Sequence, residues 1–277
     1  MDGALRPGTE LIMSKTSLFK GTAGYYAQYR PGYSDRFFSY VVKEFHLDGT
    51  GRMLDLGCGT GQLSLVLAKH FERVVAMDSQ PEMLKEGKAR AMRAGVKNIV
   101  WLNKGSGDLR PSMGKFRLVT IGRAFHWMDQ KKTLAMLYKM IEPGGSIVII
   151  GERNSDSIWQ PKSRWKKAAK ATIQKYLGEA RRAGQGTYEV TGKKFADFIR
   201  ESPFKKAAGF YSEDTKIIWS VREVVGFLYS MSFSSRALLG KDAPAFERDL
   251  KKALLKANPS GKFIQKTCWR GVIAKKK

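Results

Sequence analysis

Met53-Leu54-Asp55-Leu56-Gly57-Cys58-Gly59-Thr60-Gly61-Gln62 decides how the rest of this chain is read. The apolar run Met53 to Leu56 has the length and composition of a short buried strand, and three glycines follow it at alternate positions. Glycine is needed where the backbone turns sharply and a ligand approaches with no Cβ in the way. In open α/β sheets, ligands bind at such loops, beyond the carboxyl ends of the strands. The spacing is G-x-G-x-G, not the G-x-G-x-x-G that brings a pyrophosphate onto a helix N-terminus. Asp55 stands directly before it, and a carboxylate there suits an ammonium or sulfonium ligand better than a pyrophosphate.

Outward from this loop, strand and helix patterns alternate. Leu63 to Phe71 reads as a helix and Val74 to Met77 as a second buried strand. That strand ends in Asp78, an acid placed to accept hydrogen bonds from ribose hydroxyls. Pro81 opens a helix carrying Met83 and Leu84. Asn98 to Leu102 and Leu118 to Ile121 are strands, Leu134, Leu137, Tyr138 and Ile141 mark a helix face, and Pro143-Gly144-Gly145 breaks it before a fifth strand, Ile147 to Ile150. Such alternation predicts a parallel sheet covered by helices on both faces.

The order strand, glycine loop, helix, strand, acid resembles the class I S-adenosylmethionine-dependent methyltransferases, over about Phe19 to Gly151. Leu54 to Gly61 is similar to that family's first motif, which holds the methionine part of the cofactor. Asp78 falls at the ribose position, and Ser79 and Met83 fall near the adenine site. The family's acid beside adenine is replaced here by Gly105, within Lys104 to Asp108, which leaves Ser106 as a substitute donor. Ile121 to Trp127 resembles the A-x-H-W element of a narrower branch that includes trans-aconitate methyltransferases, and Tyr26 to Tyr33 resembles that branch's N-terminal cofactor lid. The resemblance implies a Rossmann-like α/β fold, its sheet mostly parallel with an antiparallel last strand, and an inserted helical cap. It implies S-adenosyl-L-methionine as cofactor, held by Tyr26, Arg30, Asp55, Gly57, Gly59, Gly61, Asp78, Ser79, Met83, Ser106 and Arg123, with Trp127 against the substrate. Arg30 would pair with the methionine carboxylate in a fork geometry. Arg123 would orient an anionic acceptor or form a structural ion pair. His126 follows the fourth strand, where it is either a general base or a wall of the pocket, since a base is needed only if the acceptor must lose a proton.

The flanks carry less information. Residues 1–17 read as a loose leader, without the apolar block and cleavage site of a secretory signal. Phe37, Phe38, Val41, Val42 and Phe45 have helical spacing. After Gly151 the pattern changes to Trp165, Ala168, Ala169, Thr172, Ile173, Tyr176 and Leu177, an amphipathic helix. Eight Lys or Arg and one Glu lie between residues 161 and 182, read either as a solvated face or as a lid whose charge meets the substrate. Gly184 to Gly192 reads as a loop, Lys193 to Arg200 and Val221 to Met231 as helices, and Phe263 to Ile273 as a strand. The expected division is a lid segment at 1–35, a cofactor-binding core at 36–151, a substrate cap at 152–240, and a last helix and strand at 241–277.

Composition narrows the function classes. Two cysteines, Cys58 and Cys268, exclude a disulfide framework and argue against a cysteine zinc site, so no metal is expected and a reducing cytoplasm fits. No apolar run spans a bilayer, so no membrane partner is expected. Fifty basic against twenty-five acidic residues give a net charge of +25, a field that attracts polyanions and anionic small molecules. The expected activity is methyl transfer to an O or N atom of a small-molecule acceptor, an anionic acceptor being one the charge would suit. The alternative is an RNA methyltransferase. No appended RNA-binding module is visible, however, and the position after the fourth strand reads F-H-W where an N-P-P-Y or D-P-P-Y motif would stand.

Overall fold

The computed structural model describes residues 19–153, 156–183, 186–187, 194–212 and 215–276. The expected leader, and most of the loop expected at 184–192, lie outside the described residues. In chain order the elements are α1 (Ala23–Tyr29), α2 (Asp35–Glu44), β1 (Arg52–Leu56), α3 (Ser64–Leu67), β2 (Arg73–Asp78), α4 (Pro81–Arg93), β3 (Ile99–Asn103), β4 (Phe116–Gly122), α5 (Gln130–Met140) and β5 (Ile141–Arg153). Then follow α6 (Arg164–Leu177), β6 (Arg182–Ala183), β7 (Gly186–Thr187), α7 (Phe195–Arg200), β8 (Lys205–Tyr211), β9 (Thr215–Ser220), α8 (Val221–Tyr229), α9 (Arg236–Leu239), α10 (Ala243–Ala257) and β10 (Lys262–Lys275). Local chemistry sets several of the helix starts. Pro81 sits in the first turn of α4, the Ser34 hydroxyl accepts from Phe37 N–H, and the Asp129 carboxylate accepts from Lys132 N–H.

The main sheet has the order β3-β2-β1-β4-β5-β10-β8. Its first five strands are parallel, and β10 runs antiparallel to both β5 and β8. Both faces are covered, so its central strands are apolar almost throughout. Leu54, Leu56, Ile147 and Ile149 pack on one side with Phe116, Leu137 and Phe125. Met53, Val148 and Ile150 pack on the other with Phe37, Val41 and Trp269. Strand order reverses direction between β1 and β4, which opens a crevice at their carboxyl ends, where this class of sheet takes its ligands.

A second apolar cluster lies apart from the sheet. Trp165, Ala169 and Ile173 of α6, Phe227 and Leu228 of α8, Phe246, Leu250 and Leu254 of α10, Trp219 of β9 and Phe263 of β10 make it. This corrects the expected cap in three ways. Within 152–240, β8 is the outer strand of the main sheet, and α7 packs Phe195 and Ile199 onto the sheet's own core. Helix α10, expected outside the cap, belongs to it. The cap is also not purely helical, because β9 pairs with Lys262–Thr267, the first half of β10. The 201–220 stretch has no apolar run longer than three residues to announce two strands, and its pairing partners in β10 lie 42 to 70 positions away.

The lid is fastened on both sides. Gly21 N–H donates to Glu82 Oε2 of α4 at 2.6 Å. On the other side, the Tyr25 and Tyr229 rings meet edge-on with centroids 5.2 Å apart. The Tyr29 ring lies so close to Gly226 of α8 that a Cβ there would stand 2.3 Å from it.

Candidate active site

The glycine loop runs from the end of β1 into α3. Gly57, Gly59 and Gly61 all have positive φ, the left-handed region that only glycine enters without strain. The three positions nevertheless differ. A Cβ on Gly61 would meet Trp101 Cη2 at 2.8 Å, whereas a Cβ on Gly59 would find only Tyr26 Cε1, at 3.8 Å. Gly59 therefore borders open space, and Gly61 is needed for packing against the Trp101 ring.

A cleft of about 780 Å³ opens over the loop. Of the residues expected to hold a cofactor, Tyr26, Gly57, Gly59, Asp78, Ser79, Met83, Ser106 and Arg123 line it, as do Trp127, Phe19, Gln80 and Met128. Asp78 is fixed by two backbone donors, Gly59 N–H to Oδ2 at 2.8 Å and Gln80 N–H to Oδ1 at 2.9 Å. Each oxygen keeps acceptor capacity toward the cleft. Burial raises the Asp78 pKa, an effect these two donors partly offset. Asp108, three residues past the family's acidic position, turns its carboxylate onto Gly105 N–H at 2.7 Å and is not part of the lining.

Three expected cofactor ligands stand elsewhere. Gly61 is outside the cleft, against Trp101 and Leu65. Asp55 points into the protein and is 1% exposed, accepting from Ser64 N–H at 3.1 Å, Ser64 Oγ at 2.5 Å and Thr120 Oγ1 at 2.9 Å. Burial raises its pKa to about 6, and the three donors hold it from going higher. Asp55 thus ties the start of α3 to β4. The reason is the pleat, which puts residue 55 on the Met53 side, opposite Leu54 and Leu56. Arg30 is the third: it lines a different cavity.

That second cavity, about 1190 Å³, lies between the sheet and the cap. It shares Phe19, Tyr26, Arg123 and Trp127 with the cleft. Its own lining includes Arg30, His126, Glu152, Trp159, Lys166, Arg181, Phe227 and Gln265. His126 lies against Trp127, ring centroids 4.7 Å apart. Burial, and then the charges of Arg181 and Arg30, lower its pKa to about 4, so the imidazole is neutral at pH 7.

Arg123 stands in the wall between the two spaces. Its φ is 55°, rare for a side-chain-bearing residue. The guanidinium Nη2 donates to Pro31 O at 3.1 Å and Gln62 Oε1 at 2.6 Å. It also lies over the rings of Tyr26, Tyr33 and Trp269, 5.0–5.6 Å from their centroids. Its Nε and Nη1 are buried with no partner among the described residues. The structural ion pair considered for it is not among the described residues either: its contacts are carbonyls and aromatic faces.

Sequence reasoning missed Lys166, Arg181, Glu152 and Gln265. Lys166 falls in the basic stretch read either as a solvated face or as a lid whose charge meets the substrate, and its side chain is only 2% exposed. Its ammonium donates to the Asp156 carbonyl and lies 3.5 Å from Asp156 Oδ2. Nothing near residue 166 signals this, because the cover comes from segments distant in sequence. Trp165 beside it donates to Ile264 O, 99 positions away.

Residues 53–145 match the model of a family described as a methyltransferase domain. The chain is 28% identical to an uncharacterised methyltransferase-like protein of Schizosaccharomyces pombe, over 50% of this chain and 53% of that protein. It is 30% identical to a demethylmenaquinone methyltransferase of Lactiplantibacillus plantarum (43% and 55%) and 32% identical to a trans-aconitate 2-methyltransferase of Deinococcus radiodurans (38% and 39%). The chain spans about half the length of the first two relatives and less of the third. A solved structure from Anaeromyxobacter dehalogenans, assigned only provisionally as a type II methyltransferase, superposes with a TM-score of 0.53 at 17% identity, covering 90% of this chain and 97% of that one. At that identity the likeness shows the fold. Residues 53–145 thus match a methyltransferase domain, within a fold shared with a methyltransferase-like solved structure.

Proposed function

We propose that this protein transfers the methyl group of S-adenosylmethionine to an oxygen or nitrogen of a small molecule held in the cavity under the cap. The observation that carries this reading is the shared wall: cleft and cavity meet at Phe19, Tyr26, Arg123 and Trp127. A donor on one side and an acceptor on the other would face each other there.

The cleft fits the cofactor on its own terms. Asp78 offers carboxylate oxygens to ribose hydroxyls, Met83 and Leu56 offer apolar surface to a base, and the Arg123 guanidinium supplies positive charge at the cleft wall for a carboxylate. Bound there, the cofactor supplies an electrophilic methyl group on a cationic sulfur. The protein's part is alignment and exclusion of water, which in favourable cases lowers barriers by about 7–11 kcal/mol. Trp127, Phe19 and Tyr26 screen the junction. His126, neutral and weakly basic, serves as wall, which favours an acceptor atom already nucleophilic at pH 7, such as a carboxylate oxygen or a neutral amine.

RNA is the less supported acceptor, because the cavity lies beneath α6 and α8 and not on an open basic surface. One labelling experiment separates the two. Methyl-labelled cofactor is incubated with the protein and a fractionated cell extract, and label is expected in the small-molecule fraction. Label confined to RNA would overturn the reading of the acceptor, and absence of cofactor binding by titration calorimetry would overturn the reading of the cleft.

A further inference from the structure

We infer that Arg30 is the anchor for a negatively charged group, carboxylate or phosphate, on the acceptor. The inference rests on the proposed function and adds the chemistry that selects the substrate.

Arg30 follows α1, at the lid's edge. Its guanidinium lies against the faces of Tyr26 and Phe227, 5.1 and 5.7 Å from the ring centroids, and its Nε is out of solvent with no hydrogen-bond partner among the described residues. No carboxylate among the described residues forms an ion pair with it. Glu152 reaches it only through the longer-range field. Arg30 is partly buried, and holding a guanidinium partly out of water with no paired anion among the described residues is unfavourable. A cation held in that way in the wall of a cavity is preorganised for an anionic ligand.

The surroundings point to the sign of that ligand. Arg30, Arg123, Lys166 and Arg181 line the cavity, and among the described residues Glu152 is the one carboxylate in the lining. Lys166 is paired with Asp156 behind it. The cofactor does not account for Arg30. Arg30 is absent from the cleft, whereas Arg123 stands in the wall shared with it. Arg30 and Arg123 thus divide the work, one for each ligand.

The test uses the full chain, with S-adenosylhomocysteine present to fill the cleft. Malonate, citrate and inorganic phosphate are the probes, and malonamide is the uncharged control. Calorimetry is expected to show binding of at least one anion and none of malonamide, and the ranking of the probes tells carboxylate from phosphate. Arg30→Met should weaken that binding by at least roughly tenfold, the worth of a charge-assisted hydrogen bond, with affinity for S-adenosylhomocysteine unchanged. Arg30→Lys should fall between, keeping the charge and losing the fork. Without anions, Arg30→Met should melt at the same temperature as the parent or higher, because it removes a partly buried cation that has no paired anion among the described residues. Anion binding that survives Arg30→Met, a fall in its melting temperature without ligand, or no anion binding at all would overturn the inference. Loss of S-adenosylhomocysteine binding in the parent would instead bring down the proposed function beneath it.

Discussion

The cleft and the cavity adjoin, yet they are built in opposite ways. The cleft is made by main chain and by short runs at the ends of successive strands: Gly57 to Gly59, Asp78 to Gln80, Lys104 to Ser106 and Gly122 to Ala124. The cavity is made by single side chains from α1, β5, α6, α7, α8 and β10, and long polar ones supply its character. A site of the first kind is specified by turn geometry, and substitutions outside the loops leave it intact. A site of the second kind changes with each side chain. A constant cofactor and a variable acceptor call for that arrangement.

The largest expected effect lies in the cavity wall. Lys166→Glu places an acid beside Asp156 at a site closed to water, and should destabilise the protein by about 3–5 kcal/mol in urea unfolding. Lys167→Glu, one residue on and exposed, should change stability by no more than about 0.5 kcal/mol. Equal effects at the two positions would mean that the cap does not close over Lys166.

Within the cleft, two acids should separate cleanly. Asp55→Ala strands buried donors on Ser64 and Thr120, with an expected loss of about 2–3 kcal/mol of stability. Cofactor affinity per folded molecule should remain. Asp78→Ala should instead weaken cofactor binding by about 1.5–3 kcal/mol and leave the melting temperature nearly constant. An exchange of the two outcomes would restore Asp55 as a ligand.

The smallest effect concerns His126. Its folded pKa lies below the ordinary histidine value of 6.5, so the unfolded chain takes up the proton first. The stabilisation this linkage gives is complete above pH 6.5 and is lost as the pH falls toward 4. NMR titration should show the imidazole changing state near pH 4. With an acceptor in hand, His126→Gln should reduce turnover by less than about tenfold, against the roughly 10²–10⁴ expected for a general base. A titration near pH 6.5 with a large loss of turnover would make it the base.

The parallel part of the sheet could be read from the sequence because each of its five strands carries a short apolar run near turn residues, and the glycine loop is legible because positive φ leaves so few residue choices. Asp78 and Ser79 follow from their place at a strand end. The inward turn of Asp55 was within reach, since its alternation with Leu54 and Leu56 puts it on a covered face where a carboxylate must find donors. Arg30 and Lys166 were not within reach. Whether a long cationic side chain meets water or a cavity depends on Phe227, Gln265 and the cap above them, and no pattern local to residues 30 or 166 carries that information.

Strand β10 serves two masters. Its first half pairs with β9 in the cap, and its second half fills the gap between β5 and β8. On the ribosome this has a cost in time. Once β5 has emerged, the edge from Ser146 to Arg153 waits for partners at Cys268 to Lys275, more than a hundred residues later. At about 5–20 residues per second, that edge is unpaired for on the order of 10 s, an interval in which a bare apolar strand is open to mispairing. The nascent chain could thus complete its glycine loop well before the cavity exists.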